Sequence, residues 1–411
     1  MKNKITGGYI FEKSPSNGGN FQTEISTAIR LKNLNIDNIE FKFFSTNKKN
    51  LAILQKYNFN IKYFKKRRIN LSIIQLYNFV TNNFLKSLLN FFFKIQSLEK
   101  YLIKELIDLV HFNSMSPNAL LLNKIDYGVS FWDMAHLEHT LFPESRNNYY
   151  SLPAREFIYK HLADNSLYIV TDCNENKINF NFRYNVKNDK INIIYSEPSS
   201  QLTDGSQKVV YSKEQLIDNF KIKTQEYIFY PAQYWAHKNH IYILESLNIL
   251  INKYHKEITF VFCGSDKKNL EYLKSAAEKL RVSVYVKFLD FVSEEIIYSL
   301  YSNSLAIIAP TYFGPTNHLP IEAFYFGKPF FYSDIFCENE QVQGAVIKID
   351  LNKPDDLSEK IFNLLEDRTL VEKFSLLSRE KFKELKIKID KNRETFIKIF
   401  EKYKIIRKTF R

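Results

Sequence analysis

Short apolar runs separated by longer amphipathic segments recur along the chain, most regularly in its second half. There the runs are Glu226–Ala232, Ile258–Gly264, Val284–Asp290, Leu305–Pro310, Pro329–Asp334 and Ala345–Asp350, with helical segments such as Lys238–Tyr254 and Lys267–Arg281 between them. A run that is apolar at nearly every position has no polar face to turn to water. Such runs predict a parallel sheet covered by helices on both faces. The first half carries less regular candidates at Ile39–Ser45, Phe59–Phe64, Leu109–Asn113, Gly128–Asp133, Leu167–Asp172 and Ile191–Tyr195. The polar stretch Ser196–Ser206, with Pro198 and Gly205, reads as a linker. Two doubly wound α/β domains are expected, residues 1–205 and 206–386, and 411 residues is too long for one ordinary core.

One segment breaks the rhythm. Lys62 to Arg68 holds five basic residues in seven positions, and an apolar stretch at helical spacing follows to about Ile107. Ile73, Leu76, Tyr77, Val80, Phe84, Leu88, Phe91, Ile95, Leu98 and Leu102 form its stripe, widened by Leu85, Leu89, Phe92 and Phe93. A basic cluster leading into a broad apolar face suits a helix lying in an anionic membrane interface. The same pattern also suits one or two long helices packed on the sheet. Lys and Arg (58) outnumber Asp and Glu (45), a net charge of +13 that favours anionic partners. No nucleic-acid reader motif accompanies it, so nucleic acid is not expected as a partner. Cys173, Cys263 and Cys337 lack metal-type spacing and fit a reducing compartment. Neither a signal peptide nor a spanning helix is expected, which points to the cytoplasm or the inner face of the cell membrane.

The stretch from Ala309 to Asp334 carries the clearest chemistry. It reads as the end of a buried strand, a turn with Gly314, Pro315 and Asn317, and a short helix from about Leu319. Pro320 suits a first helical turn, where its missing N–H costs nothing. Unpaired amides and the positive end of the helix dipole make that turn an anion site. Glu322, expected in the same turn, would accept ribose hydroxyls while the amides hold a diphosphate. The stretch reads equally well as a strand–turn–helix with a dipole-stabilising glutamate.

Three further phrases fall at strand ends: Tyr230-Pro-Ala-Gln-Tyr-Trp-Ala-His-Lys-Asn-His240, Phe260-Val-Phe-Cys-Gly-Ser-Asp266 and Phe288-Leu-Asp-Phe-Val292. Open parallel sheets bind ligands at the carboxyl ends of their strands. In this order the four phrases resemble the donor-binding domain of family-4 retaining glycosyltransferases of the GT-B fold. The nearest resemblance is to bacterial mannosyl- or rhamnosyltransferases of lipopolysaccharide and surface-polysaccharide biosynthesis. It is strong over residues 225–365 and weaker at Gly18-Gly19-Asn-Phe-Gln22 and Phe131-Trp-Asp-Met-Ala-His136.

The resemblance implies two Rossmann-like domains facing across a cleft, with residues 387–411 crossing back to the first. It implies transfer of a hexose or deoxyhexose from a nucleotide-diphosphate sugar to a hydroxyl of a glycan or glycolipid, with no cofactor and no metal. Lys238 matches the family's lysine facing the donor diphosphate. Gln233 replaces an arginine of many relatives, and Gly264 and Ser265 match the turn beside the donor. Glu322 matches the second carboxylate of the family's paired-glutamate motif. The first would fall at Gly314 and is missing, which leaves Thr316, Asn317 and their amides as contacts to sugar or diphosphate. Gly18 and Gly19 resemble the glycine turn near the donor phosphates, or else form a plain loop. Trp132, Asp133 and His136 take the place of residues contacting the transferred sugar or the acceptor, so Asp133, His136, Lys238 and Glu322 are the expected catalytic set. His136, Glu138 and His139 have no convincing further ligand for a metal. A two-domain sugar-nucleotide epimerase or phosphorylase, and a catalytically silent sugar- or lipid-binding homologue, are the alternatives.

Overall fold

Two parallel sheets organise the computed structural model, which describes residues 4–15, 18–66, 69–146, 151–203, 210–314 and 318–409. The first holds β1 (Ile5–Phe11), β2 (Ile39–Ser45), β3 (Ile61–Tyr63), β4 (Leu109–Phe112), β5 (Asp126–Ser130), β6 (Tyr168–Thr171) and β7 (Ile191–Ile193), in the order β3-β2-β1-β4-β5-β6-β7. The second holds β8 (Tyr227–Tyr230), β9 (Thr259–Cys263), β10 (Val286–Leu289), β11 (Ala306–Ala309), β12 (Phe330–Ser333) and β13 (Ile347–Ile349), in the order β10-β9-β8-β11-β12-β13. Every pair of neighbouring strands is parallel. Helices connect them.

All six strands expected in the second half are present, as are all six expected in the first, which holds a seventh. The unexpected strand is β1, a central strand buried at every position. Its apolar run is broken by Gly7 and Gly8, which hide it from a hydrophobicity pattern. The glycines answer to β2: Gly7 pairs with Phe41, and a Cβ there would come within 2.5 Å of that ring.

The chain divides into two units. The first comprises Met1–Trp132, Tyr149–Tyr195 and Asp390–Arg411, and the second Asp133–Asn148 and Ser196–Ile389. The division near residue 200 thus falls at Tyr195 and Ser196, not at residue 205. The stretch expected as a linker carries a helical turn, Ser200–Thr203, and the Ser199 amide donates to Glu322 Oε1 at 3.3 Å. Those contacts attach it to the second unit; residues 204–209 lie outside the described residues.

The apolar segment after Lys62 is not one long helix. It forms helices Leu71–Phe79, Asn83–Phe93 and Ser97–Lys104. Asn70 and Asn82 interrupt it because each side chain caps the next helix, Asn70 accepting from the Ser72 amide and Asn82 from those of Phe84 and Leu85. Lys94 ends the middle helix in the left-handed conformation. The expected stripe is therefore split: Tyr77, Ile95, Leu98 and Leu102 are buried, whereas Leu76, Phe84, Leu88 and Phe91 are exposed. In the basic cluster, Lys62 pairs with Glu105 at 2.5 Å; Arg67 and Arg68 lie outside the described residues.

The last helix, Asn392–Thr409, completes the first unit. Phe396, Phe400 and Tyr403 are buried in the same cluster as Tyr9, Phe21, Leu109 and Tyr168. Asn392 fastens its start by accepting from the Tyr195 amide (2.9 Å) and donating to the Tyr195 carbonyl (2.8 Å). Phe400 packs on Phe41 and Tyr168 with ring centroids 5.2 and 5.9 Å away. Phe400→Ala is expected to destabilise the first unit by about 3–5 kcal/mol. Urea unfolding in a Trp235→Phe background, where Trp132 reports on the first unit, measures the loss.

Candidate active site

Strand order fixes where a ligand can bind. In the second sheet the chain runs β8, β9, β10 to one side and then returns to β11, β12, β13 on the other. The connections after β8 and β11 therefore leave in opposite directions, and a crevice opens between them at the carboxyl edge. The two loops are tied at that point: the Tyr312 amide donates to the His237 carbonyl at 3.0 Å, and the Thr311 hydroxyl to the same oxygen at 3.4 Å.

The loop after β8 carries Gln233, Trp235, His237 and Lys238. It ends in a short turn, Ala236–Lys238, before Asn239 adopts φ 55° and helix His240–Tyr254 begins. The buried Tyr230 hydroxyl donates to the Lys238 carbonyl at 2.9 Å and so sets the height of the loop. His237 is its hub. The ring stacks on Phe313 from the β11 loop, centroids 3.8 Å apart. Its amide donates to Glu144 Oε1 at 2.8 Å, and Nδ1 meets the same oxygen. Glu144 belongs to residues 133–148, which the sheet order of the first half gave no reason to place in the second unit.

Lys238 retains some accessible surface, but its ammonium is packed deeply. Burial pulls its pKa from 10.5 down to about 8, against the opposing attraction of the Asp133 and Glu144 carboxylates. Burial also lowers the His237 pKa to about 4, outweighing its bond to Glu144, so the ring is neutral at pH 7. Lys238 thus carries its charge at a cost in solvation, beside the Asp133 and Glu144 carboxylates.

Gln233 and Ser265 meet across the loops after β8 and β9, Gln233 Nε2 donating to Ser265 Oγ at 2.9 Å. Gln233 Oε1 accepts from the Trp235 indole at 3.1 Å, so both ends of the amide are committed. Gly264 has no room for a side chain: a Cβ would land on the Ala232 carbonyl and lie 2.7 Å from Gln233 Cα. Gly314 adopts φ 84°, where glycine carries no penalty. Thr316 and Asn317 lie outside the described residues.

Glu322 departs from expectation. The helix spans His318–Tyr325 with no acidic residue in its first turn, and Glu322 falls at its fifth position. Its buried carboxylate faces the fold, accepting from the Tyr301 hydroxyl at 2.5 Å through Oε2 and from the Ser199 amide through Oε1. A buried carboxylate needs such donors, and they fix its orientation.

Asp133 accepts from the Ala135 amide at 3.0 Å, and His136 is buried in the helical turn Ala135–Glu138. Both belong to the second unit with Lys238. Gly18, Gly19 and Trp132 belong to the first. Gly18, at φ 57°, precedes helix Gly19–Lys32, and the Trp132 indole donates to the Asn113 carbonyl at 2.8 Å. Among the described residues no three His, Cys, Asp or Glu side chains are grouped to hold a metal ion.

Sequence reasoning missed Glu144, and also a carboxylate pair at the corresponding reversal of the first sheet, after β1. Glu24 is buried and accepts from the Glu12 and Lys13 amides; burial and the nearby Glu12 raise its pKa to about 8. Glu12 accepts from Ser116 and Asn118 in the loop after β4. Nothing in the chain distinguishes these glutamates from solvated ones, because their partners are distant in sequence.

Residues 212–381 match the family Glycosyl transferases group 1. The whole chain resembles a glycosyltransferase from Rickettsia africae (18% identity, TM-score 0.70, covering 97% of this chain and 99% of that one). It also resembles HepE of Anabaena in complex with UDP and glucose (12%, 0.68, 99% and 99%). A third similar structure is WaaG, a glycosyltransferase involved in lipopolysaccharide biosynthesis (13%, 0.64, 92% and 95%). No curated protein sequence matches the chain. At these identities the structures establish the GT-B fold. Together with the match over residues 212–381 they support a GT-B glycosyltransferase.

Gly264→Ala is expected to separate the Gln233 and Ser265 loops and to destabilise the second unit by about 1–3 kcal/mol. Urea denaturation in a Trp132→Phe background, with Trp235 as reporter, checks it.

Proposed function

We propose that the chain moves a hexose or deoxyhexose from a nucleotide-diphosphate sugar to a hydroxyl of a cell-surface glycan or glycolipid. The transfer is of the family-4 type, with retention at the anomeric carbon and without a metal ion. The observation that carries the reading is the packed ammonium of Lys238 at the reversal of the second sheet, within the residues that match the glycosyltransferase family. As the bond from sugar to diphosphate lengthens, the leaving group gains negative charge. An ammonium already stripped of water stabilises that charge strongly. HepE of Anabaena in complex with UDP and glucose supports a nucleotide-sugar donor. WaaG, involved in lipopolysaccharide biosynthesis, supports a surface-glycan acceptor.

In this mechanism the acceptor oxygen bonds to the anomeric carbon on the face from which the diphosphate departs. Its proton passes to the departing phosphate oxygen. No side-chain carboxylate is needed at Gly314, which fits its absence there. Glu322, oriented by Tyr301 and Ser199, keeps lone pairs for the ribose hydroxyls. Gly18, Gly19, Gly264, Ser265, Gln233, Thr316 and Asn317 complete the donor contacts, and Trp132, Asp133 and His136 serve the acceptor side.

The Lys238 titration gives a signed test. Its ammonium is charged well below pH 8 and loses its proton as pH rises through about 8. Affinity for a nucleoside diphosphate should therefore be near its maximum at pH 7, about halved at pH 8, and should fall by up to about tenfold per pH unit beyond that. The ligand's own phosphate titration is complete in that range. Calorimetric titration with UDP and other nucleoside diphosphates from pH 6.5 to 9.5 measures the profile. Lys238→Met should bind about ten- to a hundredfold more weakly at pH 7 and show no step near pH 8; an unchanged profile would remove the assignment.

Transfer is tested directly by incubating radiolabelled nucleotide sugars with surface-glycan acceptors. Lys238→Met and Glu322→Gln should each slow product formation by on the order of a hundredfold or more. Sugar conversion without an acceptor would instead indicate an epimerase.

A further inference from the structure

We propose that Glu144 supplies, from residues 133–148, a sugar-binding carboxylate in place of the one the chain lacks at Gly314. The assignment rests on the nucleotide-sugar reading of the second unit and adds to it the groups that hold the transferred sugar. Glu144 lies beyond β5 in the chain, yet residues 133–148 belong to the second unit. Three of their side chains seat them on the two loops that border the crevice. Phe142 packs on Tyr312 and Phe313 with ring centroids 5.2 and 5.8 Å away, and His139 stacks on Phe313 at 5.4 Å. Glu144 itself is held by His237, whose ring stacks on Phe313. Phe313 directly precedes Gly314. A single imidazole thus separates the Glu144 carboxylate from the neighbour of Gly314. The carboxylate is also near enough to Lys238 for its charge to favour the ammonium.

One oxygen of this carboxylate is left free. Oε1 takes the His237 amide, at 2.8 Å, and also meets Nδ1. Oε2 accepts from no other described residue, although the side chain is only 10% exposed. Burial would raise the Glu144 pKa, but bonds from His237 and from its own amide hold it below the usual carboxylate range. The group is therefore ionised at pH 7 and can only accept. His237 is neutral there, so Nδ1 carries the proton donated to Glu144 and Nε2 keeps a lone pair. Nε2 likewise has no partner among the described residues. Two acceptors without donors call for a ligand rich in hydroxyls. A diphosphate brings no donor at pH 7 and is repelled by the carboxylate, so it goes to Lys238. The sugar attached to it brings hydroxyls, which suit Oε2 and Nε2. In this role Glu144 binds the sugar and takes no proton in the transfer.

Calorimetric titration separates the sugar from the diphosphate. UDP, GDP and dTDP are compared with UDP-glucose, GDP-mannose and dTDP-rhamnose on the wild type and on Glu144→Gln. Glutamine keeps the shape and an acceptor for His237 but turns the free oxygen into a donor. The nucleotide sugar that the wild type binds should bind Glu144→Gln about ten- to a hundredfold more weakly. Its nucleoside diphosphate should bind no more weakly than before, whereas a purely structural role would weaken both. His237→Phe keeps a ring on Phe313 without its nitrogens and should also lose affinity for the sugar form alone. It carries the test if Glu144→Gln lowers the melting temperature. Equal loss for both ligands, or no loss for either, would overturn the assignment. So would a wild type that binds a diphosphate but none of the three sugar forms. Failure of every diphosphate to bind the wild type would instead remove the reading of the second unit, and this one with it.

Discussion

Parallel pairing is the constraint from which the rest of the molecule follows. When all strands of a sheet point one way, their carboxyl ends share one edge, and every loop with chemical potential gathers there. The edge must then satisfy many main-chain groups with few regular partners. This protein meets the demand with buried tyrosines whose hydroxyls reach carbonyls at that edge: Tyr230 to Lys238 and Tyr234 to Leu289. Each ring fills the core while its one polar atom restrains a connection above it. The loops of the second unit are held by the core beneath them as much as by one another.

The same economy governs the charges. Lys238 is held in partly dehydrated surroundings with carboxylates near enough to favour its charge but not to restore an ordinary pKa. Glu322 faces inward and is bound at both oxygens. His237 joins three segments while remaining neutral at pH 7. Fixed, poorly solvated groups of this kind need little rearrangement when an anionic ligand arrives, which is the physical content of preorganisation.

The second unit was legible in the sequence because its strands are short, apolar and separated by helices of ordinary length. All six were found, and Gly264 and Lys238 stand where the strand ends placed them. What escaped were features set by distant partners. β1 was obscured by Gly7 and Gly8, whose necessity comes from Phe41 in another strand. The start of helix His318–Tyr325 moved Glu322 out of the first turn, a shift of one residue that a pattern of apolar positions does not resolve. The break of residues 69–107 into three helices was written in Asn70 and Asn82, but asparagine caps are easily overlooked beneath a strong apolar stripe. Glu144 could not be found at all, since only the folded chain brings it to His237.

The sealing of the first core by Phe396, Phe400 and Tyr403 has a bearing on biogenesis. Ribosomes deliver the polypeptide from its amino end, so strands β1 to β7 emerge while the residues that cover them are still untranslated. The second unit lies in between and has its own complete set of strands, so it can mature during that interval. The part synthesised first is therefore finished last, and until then its uncovered aromatic surface is exposed to aggregation.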